Sequence, residues 1–294
     1  MMKKYILMML SALLVVSCSE DSGDKESEDN EVNFSLSVTD DNGSGSLSEG
    51  SSVGLFVYDE STSSYVLSNG VTIVGSSGSL MGAPTLSTGH QYTIYAYSPY
   101  RAEWNDIVDV SHRFDVKTDQ SQKASYESSD LIITKTTISN NQANVDFQHL
   151  MTKVVVHVTD QTGTVDMSRA DKEYLVLNDM TTSVMFNLKE GIKSVFQDET
   201  SDIRMLSLDQ SNRRISATAI VAPQVKNEGN CMFKLYVDGK YFRQYPLTST
   251  EQLQSGKTYI YRMILTEGGL VIDNTQITGW VNSGQEIKLI TEEE

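Results

Sequence analysis

Four histidines, two cysteines and 39 carboxylates are the side chains of this 294-residue sequence that could serve as bases, nucleophiles or metal ligands. The histidines are His90, His112, His149 and His157. Read as one extended run, residues 144–158 put His149 and His157 on the same face but about 27 Å apart, too far to share a metal ion. No His-Glu-x-x-His, paired-cysteine or phosphate-loop pattern occurs. Acid pairs such as Glu199 with Asp202 are expected by chance in so acidic a chain. These residue types and spacings point to no catalytic machinery and imply no cofactor or metal, so the chain reads as a non-enzyme.

Cys18 is different, because its surroundings specify a reaction. Lys3 and Lys4 precede an apolar run from Tyr5 to Val16 that is broken only by Ser11. That is a charged segment followed by about a dozen apolar residues, enough for export but short of the roughly 20 that span a bilayer. Ser17-Cys18 resembles the lipobox of bacterial lipoproteins, in which the cysteine thiol is lipidated and becomes the first residue of the mature chain. An ordinary signal peptide with an incidental cysteine is the alternative. Residues 1–17 are thus expected to be a lipoprotein signal peptide, with the body held to a membrane from outside the cytoplasm. Cys231 then stands alone, so no intramolecular disulfide can form, and it reads as a small buried hydrophobe.

Loss of residues 1–17 removes Lys3 and Lys4 and leaves 21 basic against 39 acidic side chains, net −18. Such an excess repels nucleic acid and anionic head groups and excludes nucleic-acid binding. Residues 18–31 follow as an acidic tether: between Ser19 and Glu31 lie seven acids, one base and no apolar side chain, which cannot bury anything. An acidic run after a lipidated cysteine also resembles the surface-export signal of Bacteroidales lipoproteins; a solvated linker is the other reading.

The elements that must carry the rest are strands. Val32-Asn33-Phe34-Ser35-Leu36-Ser37-Val38 alternates apolar with polar. Further short candidates follow at Val53–Tyr58, Ser64–Leu67, Val71–Val74, Gln91–Tyr97, His112–Val116 and Leu131–Thr134, separated by Gly, Ser, Asn and Asp. The second half continues with Asn144–Val158, Tyr174–Leu177, Ser183–Leu188, Arg214–Val221, Cys231–Val237, Lys240–Leu247 and Lys257–Leu265, with Asp238-Gly239 as a hairpin turn. Of 37 serines 27 precede residue 144, and this shift in composition places a domain boundary near there. The expectation is an all-β chain of two sandwiches in tandem, residues 32–143 and 144–294.

Phe147-Gln148-His149-Leu150-Met151-Thr152-Lys153 resembles the Phe-x-His-x-(Leu/Met)-small-Lys strand of the fimbrillin-like (Mfa-like) proteins of Bacteroidales. Tyr95-Ala96-Tyr97-Ser98-Pro99-Tyr100, Leu253-Gln254-Ser255-Gly256-Lys257-Thr258-Tyr259 and Ile277-Thr278-Gly279-Trp280 resemble that family's other motifs, in the same order. The resemblance implies two transthyretin-like β-sandwiches, export as an outer-membrane lipoprotein and, for many members, assembly into type V pili. There a trypsin-like protease removes a subunit's first strand, and a strand from a neighbour fills the groove by β-augmentation. His149 would be a structural hydrogen-bonding residue of the family strand.

This chain departs from the cleaved pattern. No arginine lies between Cys18 and Tyr100, and the one lysine there, Lys25, precedes the first strand. The first possible cut beyond that strand follows Arg101, well inside the first sandwich. A tip, anchor or accessory role therefore fits better than a cleaved stalk subunit, with other fimbrial subunits as partners by strand exchange. The alternative is a stand-alone surface lipoprotein that binds a host or bacterial glycan or protein. Tyr97, Tyr100 and Trp104 are the candidate ligand-facing aromatics, against the plainer reading that they pack under a loop. Ile287 and Leu289 alternate with charge near the C-terminus and mark either a last strand or a donor strand for a neighbour. Metabolic labelling with a palmitate analogue is expected to mark the wild type and not Cys18→Ala; label persisting in the variant would remove the lipobox reading.

Overall fold

The computed structural model describes residues 33–40, 43–45, 47–76, 79–138, 142–169 and 172–280. The expected signal peptide, Cys18, the acidic tether, and the tail with Ile287 and Leu289 lie outside the described residues. Strands dominate what is described, and a single five-residue helix, α1 (Lys123–Glu127), interrupts them.

The first half holds β1 (Asn33–Asp40), β2 (Gly43–Gly45), β3 (Ser52–Asp59), β4 (Ser64–Val74), β5 (Leu80–Met81), β6 (Tyr92–Ser98), β7 (His112–Asp115), β8 (Ile132–Ile138) and β9 (Gln142–His149). Eight of them form one sheet in the order β2-β1-β9-β8-β6-β3-β4-β5. The pivot is β9. Its residues from Gln142 to Phe147 pair in parallel with Asn33 to Val38 of β1, and its last two, Gln148 and His149, pair with β8 instead. One strand thus belongs to two layers, and Val145 and Phe147 pack with Val53, Leu55, Val57, Ile94, Ala96 and Ile132 of the other layer.

The central strands β3 and β6 are buried on both faces. Leu55 and Val57 of β3 and Ile94 and Ala96 of β6 enter this core, whereas Phe56, Tyr95 and Tyr97 point into a second one. Period-two alternation with apolar side chains at both phases is what a strand between two packed layers requires. Gly54 is part of the arrangement, since a Cβ there would lie 2.2 Å from the Tyr97 ring.

The second half contains β10 (Thr152–Asp160), β11 (Tyr174–Thr181), β12 (Ser183–Asn187), β13 (Gly191–Val195), β14 (Thr200–Arg204), β15 (Leu206–Ser211), β16 (Arg214–Val221), β17 (Gln224–Lys226), β18 (Phe233–Val237), β19 (Lys240–Arg243), β20 (Glu251–Leu253), β21 (Lys257–Thr266) and β22 (Gly269–Gly279). A five-stranded sheet runs β15-β16-β10-β21-β22 and a four-stranded one β14-β11-β18-β19. The Asp238-Gly239 hairpin is present, with φ of 48° and 74° at its two central residues as a type I′ turn needs.

Several expectations change. Residues 144–158 are two strands in different sheets, because the chain leaves the first sheet at Leu150-Met151; the shared-face argument for His149 and His157 falls with that break. Ser64–Leu67 and Val71–Val74 are one strand, β4, whose register against β3 shifts near Asn69, where φ is 47°. The long β22 has no clean apolar alternation, being mostly exposed at a sheet edge, and so carries no period-two signal. The halves also share structure. Strand β7 pairs with β12, and the larger core runs continuously from Phe56, Trp104 and Phe114 to Val184, Phe186 and Tyr261.

Phe147 is fully buried between the two layers of the first sheet. Phe147→Ala is expected to destabilise the fold by about 3–5 kcal/mol in urea unfolding; an unchanged midpoint would show that the side chain is not a core anchor.

Candidate functional site

The recognisable motifs meet where β9 gives way to β10. Backbone groups released from the ladder at that break need other partners. The Leu150 N–H donates to the Leu131 carbonyl at 2.9 Å, and the Met151 carbonyl accepts the Gly256 N–H at 2.9 Å. Ser255 Oγ lies 3.2 Å from the His149 carbonyl and 2.8 Å from that of Leu150. Gly256 has φ +69° and sits so close that a Cβ would be 3.3 Å from the His149 oxygen, which explains glycine at this position.

Over this turn lies Trp280, whose own N–H donates to the Gly256 carbonyl at 3.0 Å. Its ring stacks on His149 with centroids 4.1 Å apart and planes inclined by 3°. His149 Nδ1–H donates to Asp130 Oδ1 at 2.8 Å, which fixes the plane of the imidazole. The Lys153 ammonium lies 6.0 Å from the centre of the Trp280 ring, within reach of a cation–π attraction. Burial holds the Lys153 pKa below the ordinary lysine value, an effect the Asp130 charge partly opposes. His149 Nε2 is buried without a hydrogen-bond partner. Chemically this is a clasp: one carboxylate, one oriented imidazole and one indole gathered over the turn.

The structure brings together His149, Lys153, Gly256 and Trp280, places Phe147 in the first core, and leaves the aromatic cluster elsewhere. Tyr97 and Trp104 are buried, so neither offers a ring face to a ligand, and Tyr100 is half-buried against the same core. Tyr97 Oη lies 2.7 Å from Asn69 Oδ1 and 2.9 Å from the Arg101 carbonyl, and burial pushes its pKa up. Trp104 packs on Tyr97 and Phe186, each at 5.2 Å between centroids. The expected ligand-facing aromatics are therefore corrected to core residues that close a loop onto the second core. Cys231 is half-buried just before β18 rather than inside a strand. Asp130 was not legible as a partner of His149, since only the β8–β9 pairing brings it there. The other histidines each hold one polar neighbour: Asp59 for His90, Asp106 for His112 and Ser216 for His157. Among the described residues no three His, Cys, Asp or Glu side chains converge as metal ligands would.

The family model described as fimbrillin-like matches residues 38–280, which includes every residue of the clasp. The chain belongs to the fimbrillin-like family. That family consists of fimbrial and adhesin-type structural proteins. Solved structures share the fold at low identity. A protein from Bacteroides uniformis described as a candidate for cell adhesion superposes with a TM-score of 0.64 at 17% identity, over 86% of this chain and 100% of the other. One from Bacteroides ovatus with the same description gives 0.62 at 17%, over 85% and 97%. A third, from Bacteroides thetaiotaomicron, gives 0.52 at 13%, over 83% and 97%. A search of curated proteins returns no match.

Lys153 yields a pH-dependent expectation for this fimbrillin-like chain. Its folded pKa lies below the unfolded value near 10.5, so the desolvation penalty acts whenever both states are charged. The penalty fades as pH rises through the folded pKa towards 10.5. Lys153→Met should therefore be as stable as wild type or more so at pH 7, and the gap should close as the pH approaches 10.5. A gap that widens with pH would contradict this. Both proteins share the tyrosines, so their ionisation cancels in the comparison.

Proposed function

We propose that this fimbrillin-like chain is a surface-exposed outer-membrane lipoprotein that serves as a tip, anchor or accessory fimbrial subunit and keeps its own first strand. It is read as a signal peptide (1–17), a tether (18–31) and two sandwiches (32–143 and 144–294). The observation that carries the reading is the seating of β1, whose backbone pairs with β9 from Asn33↔Gln142 to Val38↔Phe147. A strand paired through six consecutive positions occupies that edge of β9 from within the chain, which supports a first strand that is kept.

The positions of the basic residues support the same reading. The first arginine or lysine after β1 is Arg101. Its carbonyl oxygen lies 2.9 Å from Tyr97 Oη and 3.0 Å from Asn69 Nδ2, and its N–H donates to Tyr97 Oη. A peptide bond tied into the wall of a core in this way does not adopt the extended form a trypsin-like protease needs. Partners would be other fimbrial subunits, met by donation of the C-terminal segment with Ile287 and Leu289, and the outer membrane through the lipid on Cys18.

Two measurements test the proposal. Protein sheared from the native surface should be intact from Cys18, without a new terminus after Arg101. Deleting residues 284–294 should remove the protein from isolated fimbriae while leaving its melting temperature unchanged. A large fall in melting temperature would make the tail part of its own domain, and an N-terminus beyond Arg101 would make the chain a cleaved subunit.

A further inference from the structure

Where the chain crosses from β14 to β15, the second half opens into a cleft of about 390 Å³. Its floor is apolar, made by the buried Leu175, Met205, Ile215 and Ala217. Arg204, Tyr174, Gln122 and Ser207 supply polar groups around it. An apolar floor with a few convergent polar groups, in a volume of roughly 300–1,000 Å³, is the usual make-up of a small-ligand site.

Arg204 distinguishes this cleft from a surface depression. Its guanidinium lies 4.3 Å from the centre of the Tyr174 ring, and Tyr236 stacks on Tyr174 at 4.8 Å and 9°. Strand β11 lies between β14 and β18, so the two partners approach Tyr174 from opposite sides and hold the guanidinium in place. Yet among the described residues no carboxylate forms an ion pair with Arg204, although its charge is one of the influences that lower the Asp119 pKa, after the hydrogen bonds from Ser121. Arg113, Arg169, Lys189 and Lys234 each hold a carboxylate; the Nε of Arg204, like that of Arg169, is buried without an acceptor. Asp119, bridged to Arg204 through the backbone, turns its carboxylate to the Ser121 N–H at 3.0 Å. Glu173 also lines the cleft, but its two oxygens are occupied by the Arg169 N–H and guanidinium.

From this geometry we infer that the cleft binds a sugar acid, a ring-shaped polyol carrying one carboxylate. The carboxylate takes the planar fork of Arg204, which matches it in two parallel hydrogen bonds. The C–H face of the ring lies on the apolar floor, and ring hydroxyls reach Gln122 and Ser207, whose side chains bond to no other described residue. A chain of net charge −16 repels anions at long range. Selection therefore rests on the local fork, and a single sugar is held weakly. The inference goes beyond the fimbrial reading, since it needs neither strand exchange nor a polymer.

The test is titration of the full chain with glucuronic acid and N-acetylneuraminic acid, beside glucose, acetate and glutamate, by ligand-observed NMR and calorimetry. At least one sugar acid is expected to bind saturably, and glucose, acetate and glutamate to bind weaker by about tenfold or more. Arg204→Gln and Arg204→Lys should each lose about tenfold or more, the lysine because a point charge lacks the fork. Ser207→Trp, which fills the mouth from an exposed position, should abolish binding at an unchanged melting temperature and carries the test if the arginine variants do not fold. No saturable sugar-acid binding, equal binding of glucose, acetate or glutamate, or binding retained in Ser207→Trp would each overturn the inference.

Discussion

The break between β9 and β10 is the constraint on which the rest of the structure depends. Within two residues the chain passes from one sheet to another, and the peptide groups between them leave both ladders. Unpaired backbone groups in a buried position cost too much to persist. They are satisfied here by the carbonyl of Leu131, the residue just before β8, and by the Ser255-Gly256 turn before β21. Trp280 then covers that turn and stacks on His149. Segments far apart in the chain are thereby joined at one point, each supplying a group the others lack.

This explains why the family motifs are a signature of architecture. Phe147 closes the first core, His149 is held by Asp130 and stacked on Trp280, and Gly256 permits the close approach of two backbones. Phe147 and His149 are both buried within the fold.

The halves of the molecule are not independent layers of sheet. Strands β3 and β6 are apolar on both faces because one face meets the β1–β9 layer and the other meets Trp104, Phe114 and the second half. Pairing of β7 with β12 adds backbone hydrogen bonds across the same region. Apolar burial and a ladder both resist separation of the halves.

Sequence alone determined the class of structure and the order of the recognisable motifs. Period-two alternation marks a half-buried strand wherever it occurs, and Asp238-Gly239 fixed a hairpin because its two residues tolerate positive φ. Alternation reports only which side chains share a face, not which layer lies against that face. Hence residues 144–158 read as one strand although their two parts serve different sheets, and Tyr97 and Trp104 read as candidates for a ligand although a second core covers them. The same limit hid Asp130 beside His149 and the row of Arg204, Tyr174 and Tyr236, which lie on three separate strands. Such contacts are decided by strand order and register, and these follow from how whole layers bury their apolar faces together.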